Sequence, residues 1–161
     1  MKNYFAYGTL LGEKAMQDFA PSAKSKGVMR LDDYELAFGE TKLAGKGGCW
    51  LKPVEGSHVY GIQYELSDDD MDRMDKASGI PDGLWVHKQI TLTDEGGNDV
   101  DSVTYTIPGN PQPYRPGDDY LGKIKDGVVL LGSQVGDKAQ LIVKTNRKEV
   151  HAGKLVGAMA A

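Results

Sequence analysis

The sequence predicts a mixed α+β domain that is rich in antiparallel strands, and three observations lead to this fold class. Several segments combine β-prone residues with period-two alternation, the pattern of half-buried strands. A run of turn-forming residues at 94–99 separates two of these segments, as in an antiparallel hairpin. Only short segments show helical spacing of apolar residues. With 161 residues, the chain is long enough for one domain with its own core.

Five segments carry the strand pattern. The clearest is 100–107, in which Val103, Tyr105 and Ile107 fall on one face of an extended chain. The strand segment before it ends at the turn-forming run, so we expect the two strands to pair. The predicted strands are 3–7, 28–39, 58–66, 84–93 and 100–107.

The predicted helices are short. Ser67 is a good N-cap, and the three aspartates after it lie in a first turn, where the helix dipole favours negative charge. Met71 and Met74 are three residues apart and therefore share a helix face. The predicted helices are 13–19, 67–74 and 120–131. The predicted loops are the glycine-rich segment 39–56 and the proline-rich segment 108–117. The predicted domain covers residues 1–143, and residues 144–161 form a tail.

Composition narrows the class of partner. The net charge of −4 gives no reason to expect nucleic acid or an anionic membrane as a partner. The single cysteine, Cys49, excludes internal disulfides and multi-cysteine metal sites, and the three histidines lack metal-ligand spacing, so we expect no metal. No segment approaches the roughly 18 apolar residues of a membrane span, and no secretory apolar core is visible. We therefore expect a cytoplasmic protein, whose oligomeric state the sequence does not indicate.

The N-terminal segment reads Tyr-Phe-Ala-Tyr-Gly-Thr-Leu-Leu over residues 4–11. Gly8 can adopt backbone angles that a side chain would forbid. A strand that ends at Gly8 and Thr9 presents consecutive backbone N–H groups beside a hydroxyl, and such groups suit an anion such as a carboxylate. A buried first strand followed by an ordinary turn fits the same residues.

This segment resembles the opening motif of the γ-glutamylcyclotransferase-like (AIG2-like) family, Tyr-Phe-Ala-Tyr-Gly-Ser-Asn-Leu. Later segments resemble the family in the same order, so that the resemblance covers roughly residues 3–143. It implies a small β-barrel with short flanking helices. The resembling segments are 59–66, similar to the central strand, 67–75, similar to the helix after it, 79–90, similar to the next loop and strand, and 112–121, similar to the approach to a last helix.

The resemblance also implies an activity. In the family, a γ-glutamyl amine attacks its own side-chain carbonyl and releases 5-oxoproline and a free amine. The attack is intramolecular, so no cofactor is expected, and the expected partner is a small γ-glutamyl or amino-acid-like ligand. Trp85 and Tyr105 align with aromatic strand residues that either line the pocket or belong to the core. The residues that the resemblance assigns to ligand binding are Tyr4, Phe5, Ala6, Tyr7, Gly8, Thr9, Leu10 and Tyr114.

One position departs from the family. The family has a proton-moving glutamate just before the glycine of its central loop, whereas here Ser78 stands before Gly79. A serine hydroxyl forms hydrogen bonds but cannot act as a carboxylate base at neutral pH. Asp75, Asp82 and Glu40 are the carboxylates that could take its place. Two alternatives to cyclotransfer stay open: binding of a metabolite or protein without turnover, and a different acyl-transfer or lyase reaction in the same pocket.

Overall fold

The computed structural model describes residues 1–8 and 13–114, and in this part of the chain five strands close into a barrel. The strand order around the barrel is β1-β3-β2-β4-β5. The predicted α+β class and the small barrel are thereby confirmed. The predicted helix 120–131 and the tail 144–161 lie outside the described residues. The elements are β1 (Lys2–Ala6), α1 (Glu13–Phe19), β2 (Lys24–Glu40), β3 (Gly47–Leu66), α2 (Asp68–Ala77), β4 (Val86–Thr93) and β5 (Asp99–Thr106).

Most of the predicted elements are confirmed with small shifts at their ends, but the predicted loop 39–56 is wrong. Strand β2 extends to Glu40 and strand β3 begins at Gly47, so most of that segment lies in two paired strands. The glycines permit a close approach of backbone rather than a loop. A Cβ on Gly47 would lie 2.3 Å from the carbonyl oxygen of Gly39 and 2.5 Å from the ring of Tyr114.

The register of the long β2–β3 pair shifts at two positions, between Ser25 and Val28 and between Asp32 and Tyr34. At the second position, Asp33 has a φ of 67°. The backbone N–H of Gly56, itself at a φ of 81°, donates to Oδ1 of Asp33 at 3.0 Å. Such bulges increase twist and let long strands curve into a closed barrel.

Two apolar cores lie on opposite faces of the strands. One consists of strand residues and residues adjoining strands, without any helix residue, and it fills the barrel. The other packs the outer face of β1, β3 and β5 against the two helices. On β1, Phe5 belongs to the interior core, whereas Tyr4 and Ala6 belong to the outer one. This burial on both faces explains why residues 4–7 are an unbroken run of apolar and aromatic residues.

The barrel closes where β1 and β5 run parallel. Tyr4 pairs with Val103, and two buried hydroxyls reinforce this seam. The hydroxyl of Thr104 donates to the carbonyl of Phe5 at 2.7 Å. The hydroxyl of Tyr7 donates to the carbonyl of Tyr105 at 2.8 Å. These bonds hold the end of β1 beside Tyr105.

No helix among the described residues is long and apolar enough to cross a membrane.

Candidate active site

A cavity of about 380 Å³ opens where the end of β1, the start of β3 and the end of α2 meet. Its volume suits a small ligand. Seven residues predicted from the sequence lie in its lining, and four further lining residues were not predicted. The seven are Tyr4, Ala6, Tyr7, Gly8, Ser78, Trp85 and Tyr105, and the four are Lys46, Gly47, Cys49 and Ala77.

The remaining predicted residues have other positions. Phe5 is fully buried in the interior core, while the ring of Tyr114 packs on Gly47 at the edge of the cavity. Asp82 is exposed. Glu40 accepts a hydrogen bond from the backbone N–H of residue 45 at 2.8 Å and lines a second cavity of about 300 Å³. The predicted binding residues Thr9 and Leu10 lie outside the described residues.

Ser78 reaches the cavity because helix α2 ends there. It is the C-cap residue, and its backbone N–H donates to the carbonyl of Met74. Gly79 follows with a φ of 76°, and the N–H of Ile80 donates to the carbonyl of Asp75 at 3.1 Å. This is the Schellman arrangement, which needs a residue that tolerates a left-handed backbone just after the cap. The glycine thus fixes where the side chain at position 78 points.

Asp75 joins two side chains from the β4–β5 hairpin. Its Oδ1 atom accepts a hydrogen bond from the hydroxyl of Tyr105 at 2.5 Å and contacts Nε2 of His87 at 2.7 Å. Ser78 and Tyr105 both line the cavity. Asp75 itself is not part of the cavity lining, and Tyr105 lies between it and the cavity. The carboxylate therefore reaches the cavity through the hydroxyl of Tyr105.

The ring of Tyr105 is held by its neighbours. It stacks on His87, its cross-strand partner in the hairpin, with ring centroids 5.5 Å apart, and it contacts Tyr4 at 5.0 Å. Burial raises the pKa of Tyr105 far above its ordinary value, and the hydrogen bond to the Asp75 carboxylate raises this pKa further. The phenol therefore stays protonated and donates to Asp75. Burial also raises the pKa of Tyr4 well above its usual range.

The N-terminal wall of the cavity depends on a close contact. A Cβ on Gly8 would lie only 2.6 Å from Sγ of the buried Cys49. The indole N–H of Trp85 donates to the carbonyl of Cys49 at 3.2 Å. The end of β1 therefore closes onto β3 only because residue 8 lacks a side chain.

The described lining carries one formal positive charge, on Lys46, and no carboxylate. In the part of the chain that the structure describes, no group of three or more His, Cys, Asp or Glu residues is placed to hold a metal ion. The cavity therefore combines aromatic walls, a few hydroxyls and one lysine, with the Asp75 carboxylate behind one wall.

A small closed barrel with a ligand-sized cavity at a helix C-terminus defines the class of this protein. Residues 4–122 match the profile of the family described as gamma-glutamyl cyclotransferase, AIG2-like, and the chain belongs to that family. The family resemblance seen in the sequence is thus confirmed.

Individual relatives agree with this assignment. The chain is 28% identical over 120 residues to a gamma-glutamylcyclotransferase of Bos taurus, covering 68% of this chain and 64% of that protein. It is 26% identical over 109 residues to a gamma-glutamylcyclotransferase of Homo sapiens, covering 65% of this chain and 58% of that protein. It therefore spans less than two thirds of the length of these relatives.

Solved structures share the fold. A structure named gamma-glutamyl cyclotransferase superposes with a TM-score of 0.78 at 22% identity, covering 89% of this chain and 85% of that one. The crystal structure of a human protein described as uncharacterised gives a TM-score of 0.74 at 22% identity, covering 88% of this chain and 85% of that one. At this level of identity the comparison concerns the barrel rather than the chemistry.

Proposed function

We propose that this chain binds γ-glutamyl amides in the 380 Å³ cavity and converts them to 5-oxoproline and a free amine. In this proposal, Asp75 accepts the proton that the family glutamate would accept, and it acts through Tyr105. The observation that carries the proposal is the 2.5 Å hydrogen bond from the hydroxyl of Tyr105, a cavity-lining residue, to Oδ1 of Asp75. Family membership supports the substrate class.

The proposed reaction needs proton transfer in both directions. The α-amine of the γ-glutamyl group must lose protons as it attacks the γ-carbonyl and forms the carbon–nitrogen bond of the ring. The amide nitrogen of the leaving amine must gain protons as its bond to the same carbon breaks. A hydroxyl can accept one proton while it releases another, so Tyr105 can pass a proton from the amine to Asp75 and later return it. Ser78 lies beside Tyr105 in the lining of the same cavity.

His87 is a positioning residue in this proposal. Its Nε2 atom lies 2.7 Å from the same carboxylate oxygen, and its side chain is 40% exposed. When Nε2 carries the hydrogen, it donates to the carboxylate and holds it toward Tyr105. Two contacts on one oxygen, from Tyr105 and His87, fix the orientation of the Asp75 carboxylate.

A second candidate function is ligand binding without turnover. The observation that favours it is that the described lining contains no carboxylate, because Asp75 lies behind Tyr105. Ser78, which occupies the position of the family glutamate, cannot ionise at neutral pH. The same cavity would then hold the ligand and leave its amide bond intact.

The test is release of 5-oxoproline from a panel of γ-glutamyl amides by four proteins: wild type, Asp75→Asn, Ser78→Glu and Asp72→Asn. Asp72 is an exposed aspartate on the same helix and serves as the matched control. We expect an active wild type, an unchanged Asp72→Asn variant and a loss of about 10²- to 10⁴-fold in Asp75→Asn, the range typical of a general base.

Two results would contradict the proposal in different ways. An inactive wild type with an active Ser78→Glu variant would show an intact pocket without a proton route, and would favour binding without turnover. An active wild type with an equally active Asp75→Asn variant would remove Asp75 from the reaction and leave the substrate class standing.

A further inference from the structure

We infer that the second cavity, of about 300 Å³, binds a zwitterionic α-amino acid between the side chains of Glu40 and Lys42. In the described part of the chain, the linings of the two cavities have no residue in common. The inference is independent of the proposed function, because it concerns binding in a separate cavity. The ligand is defined by an ammonium group and a carboxylate on one carbon atom and by a small apolar side chain.

The walls of the second cavity come from three segments that meet beside the barrel. They are the end of β2 with the turn after it, the loop between α2 and β4, and the proline-rich segment 108–112 after β5. The proline-rich segment is held against β2, since the backbone N–H of Glu40 donates to the carbonyl of Gln112 at 2.8 Å. Gly39 permits this approach, because a Cβ there would lie 2.6 Å from Cγ of Pro111. Backbone contacts therefore hold two of the walls together.

The tight turn that joins β2 to β3 orients the carboxylate of Glu40. The carbonyl of Lys46 accepts hydrogen bonds from both the N–H and the hydroxyl of Thr41, each at 2.7 Å, and these bonds close the turn. The backbone N–H of Gly45 donates to Oε1 of Glu40 at 2.8 Å. Within the described residues, Oε2 of Glu40 takes part in no hydrogen bond or ion pair. This second oxygen is therefore able to accept a hydrogen bond from a ligand.

The ammonium group of Lys42 lies over the opposite wall. Its nitrogen is 3.0 Å from the point where a Cβ on Gly83 would be, so the missing side chain at residue 83 makes room for it. Gly83 has a φ of 70°, a backbone conformation that favours glycine. Among the residues that the structure describes, Lys42 has no side-chain hydrogen bond and no ion pair. The three ammonium hydrogens are therefore available to a ligand.

The two charges of this lining are close together but do not pair. Glu40 and Lys42 are two residues apart, so their Cα atoms are separated by at most about 7 Å. A ligand with a single charge would be attracted by one of these side chains and repelled by the other. An α-amino acid carries both charges on one carbon atom, and it can therefore contact the carboxylate and the ammonium group at the same time.

The rest of the lining suits a small aliphatic side chain. Ile107 is buried, and Pro108 and Pro111 add further apolar surface beside it. The volume lies at the lower end of the range for ligand cavities. The side-chain amides of Asn110 and Gln112 form no hydrogen bonds within the described ranges, and they can contact the polar end of the ligand. We therefore choose L-valine as the probe.

The first experiment is a titration of the wild-type protein, followed through its backbone amide signals by heteronuclear NMR. The ligands are L-valine, L-valinamide, which lacks the carboxylate, and N-acetyl-L-valine, which lacks the ammonium group. We expect L-valine to shift the signals of residues 40–42 and of Gly83 saturably, and to leave those of Gly8 and Ser78 in place. Each analogue should bind about two- to fivefold more weakly, the size of one exposed ion pair. Added salt should reduce the difference.

The second experiment assigns each charge with a single substitution. Lys42→Gln should remove the advantage of L-valine over L-valinamide and keep its advantage over N-acetyl-L-valine. Glu40→Gln should do the reverse, and its amide oxygen can still accept from the N–H of residue 45. Lys46→Gln is the matched control, because it removes the same charge from the same turn but lines the main cavity. It should bind all three ligands as wild type does, and melting curves check that every variant is folded.

Several outcomes would overturn the inference. One is the absence of saturable shifts at residues 40–42, and another is equal binding of the three ligands by wild type. Shifts at Gly8 and Ser78 instead, or weaker binding in Lys46→Gln than in Lys42→Gln, would place the amino acid in the main cavity and overturn it as well. Saturable binding that follows both charges would support the inference even if the wild type released no 5-oxoproline.

Discussion

Two of the aspartates of helix α2 have different hydrogen-bond partners, Asp70 near its start and Asp75 near its end. Oδ2 of Asp70 accepts hydrogen bonds from the backbone N–H and the hydroxyl of Ser22, at 2.8 and 2.5 Å. Its Oδ1 atom pairs with Arg73 at 3.0 Å. The hydroxyl and the backbone N–H of Ser22 lower the pKa of Asp70, and this carboxylate lies in the first turn, where the helix dipole stabilises negative charge.

In the described part of the chain, the side chain of Asp75 has neither a backbone N–H donor nor an arginine partner. Both of its hydrogen-bond partners, Tyr105 and His87, are side chains of the β4–β5 hairpin. It lies in the last turn, where the negative end of the helix dipole disfavours a carboxylate. An aspartate held by backbone at a helix start anchors the fold, whereas one held by phenol and imidazole at a helix end keeps an exchangeable proton nearby. The same substitution should therefore lower activity at Asp75 and stability at Asp70.

The largest expected effect is the contrast between Asp75→Asn, which should lose activity, and Asp70→Asn, which should lose stability. Asp75→Asn should lower kcat for 5-oxoproline release by about 10²- to 10⁴-fold, with little change in the melting temperature. Asp70→Asn should lower the melting temperature by several degrees and leave kcat nearly unchanged, because it removes an acceptor that ties α2 to Ser22. Steady-state kinetics and thermal melting on both variants measure this. A similar loss of activity in both variants would contradict the assignment of Asp75 to catalysis and of Asp70 to stability.

Tyr105→Phe should have the next largest effect. It removes the hydroxyl that links Asp75 to the cavity and keeps the ring that stacks on His87. A hydrogen bond to a charged group contributes about 1.5–3 kcal/mol, so we expect kcat to fall by about 10- to 100-fold while KM changes little. Tyr60→Phe removes a phenol outside the cavity lining and is the control. If Tyr105→Phe retained full kcat, Asp75 would have no route to the ligand through this residue.

Much of this contrast could be predicted from local sequence. The N-cap at Ser67 and the aspartates after it predicted the start of α2, and the structure confirms that the Ser67 hydroxyl accepts from the N–H of Asp70. The turn-forming run at 94–99 predicted the hairpin, and a register centred on that turn places His87 opposite Tyr105, as observed. Local pattern was sufficient for the start of α2 and for the β4–β5 hairpin.

The rest depends on contacts between distant segments. The bond between Asp75 and Tyr105 joins residues 30 positions apart, and no periodicity within α2 or β5 indicates it. The strand at the start of β3 was missed for a similar reason. Glycines there indicate a loop by composition, but Gly47 is required because Gly39 and Tyr114 leave no room for a side chain. Lys46 was missed with that segment, since its place at the cavity follows from the tight turn.

The pH dependence of stability tests the Asp70 end of the comparison further. The pKa of Asp70 is lowered in the folded state from an ordinary value of 3.8. Its contribution to the free energy of unfolding is therefore complete above that value and is lost as the pH falls through the lower folded value. The difference in melting temperature between wild type and Asp70→Asn should be constant near neutral pH and should close under acid conditions. Asp72→Asn, on the same helix but exposed, should show no such difference at any pH.

The smallest expected effect is at His87, because a positioning residue acts only through Asp75. His87→Ala should lower kcat by about two- to fivefold, as expected for the loss of a partly exposed charged contact. His87→Gln keeps an N–H donor and should recover most of that loss. If His87 served only for packing, the alanine and glutamine variants would not differ in a way that follows the hydrogen bond. Initial rates and melting curves for both variants measure this. If His87→Ala reduced activity as much as Asp75→Asn, the imidazole would itself accept the proton. Asp75 would then be the positioning residue.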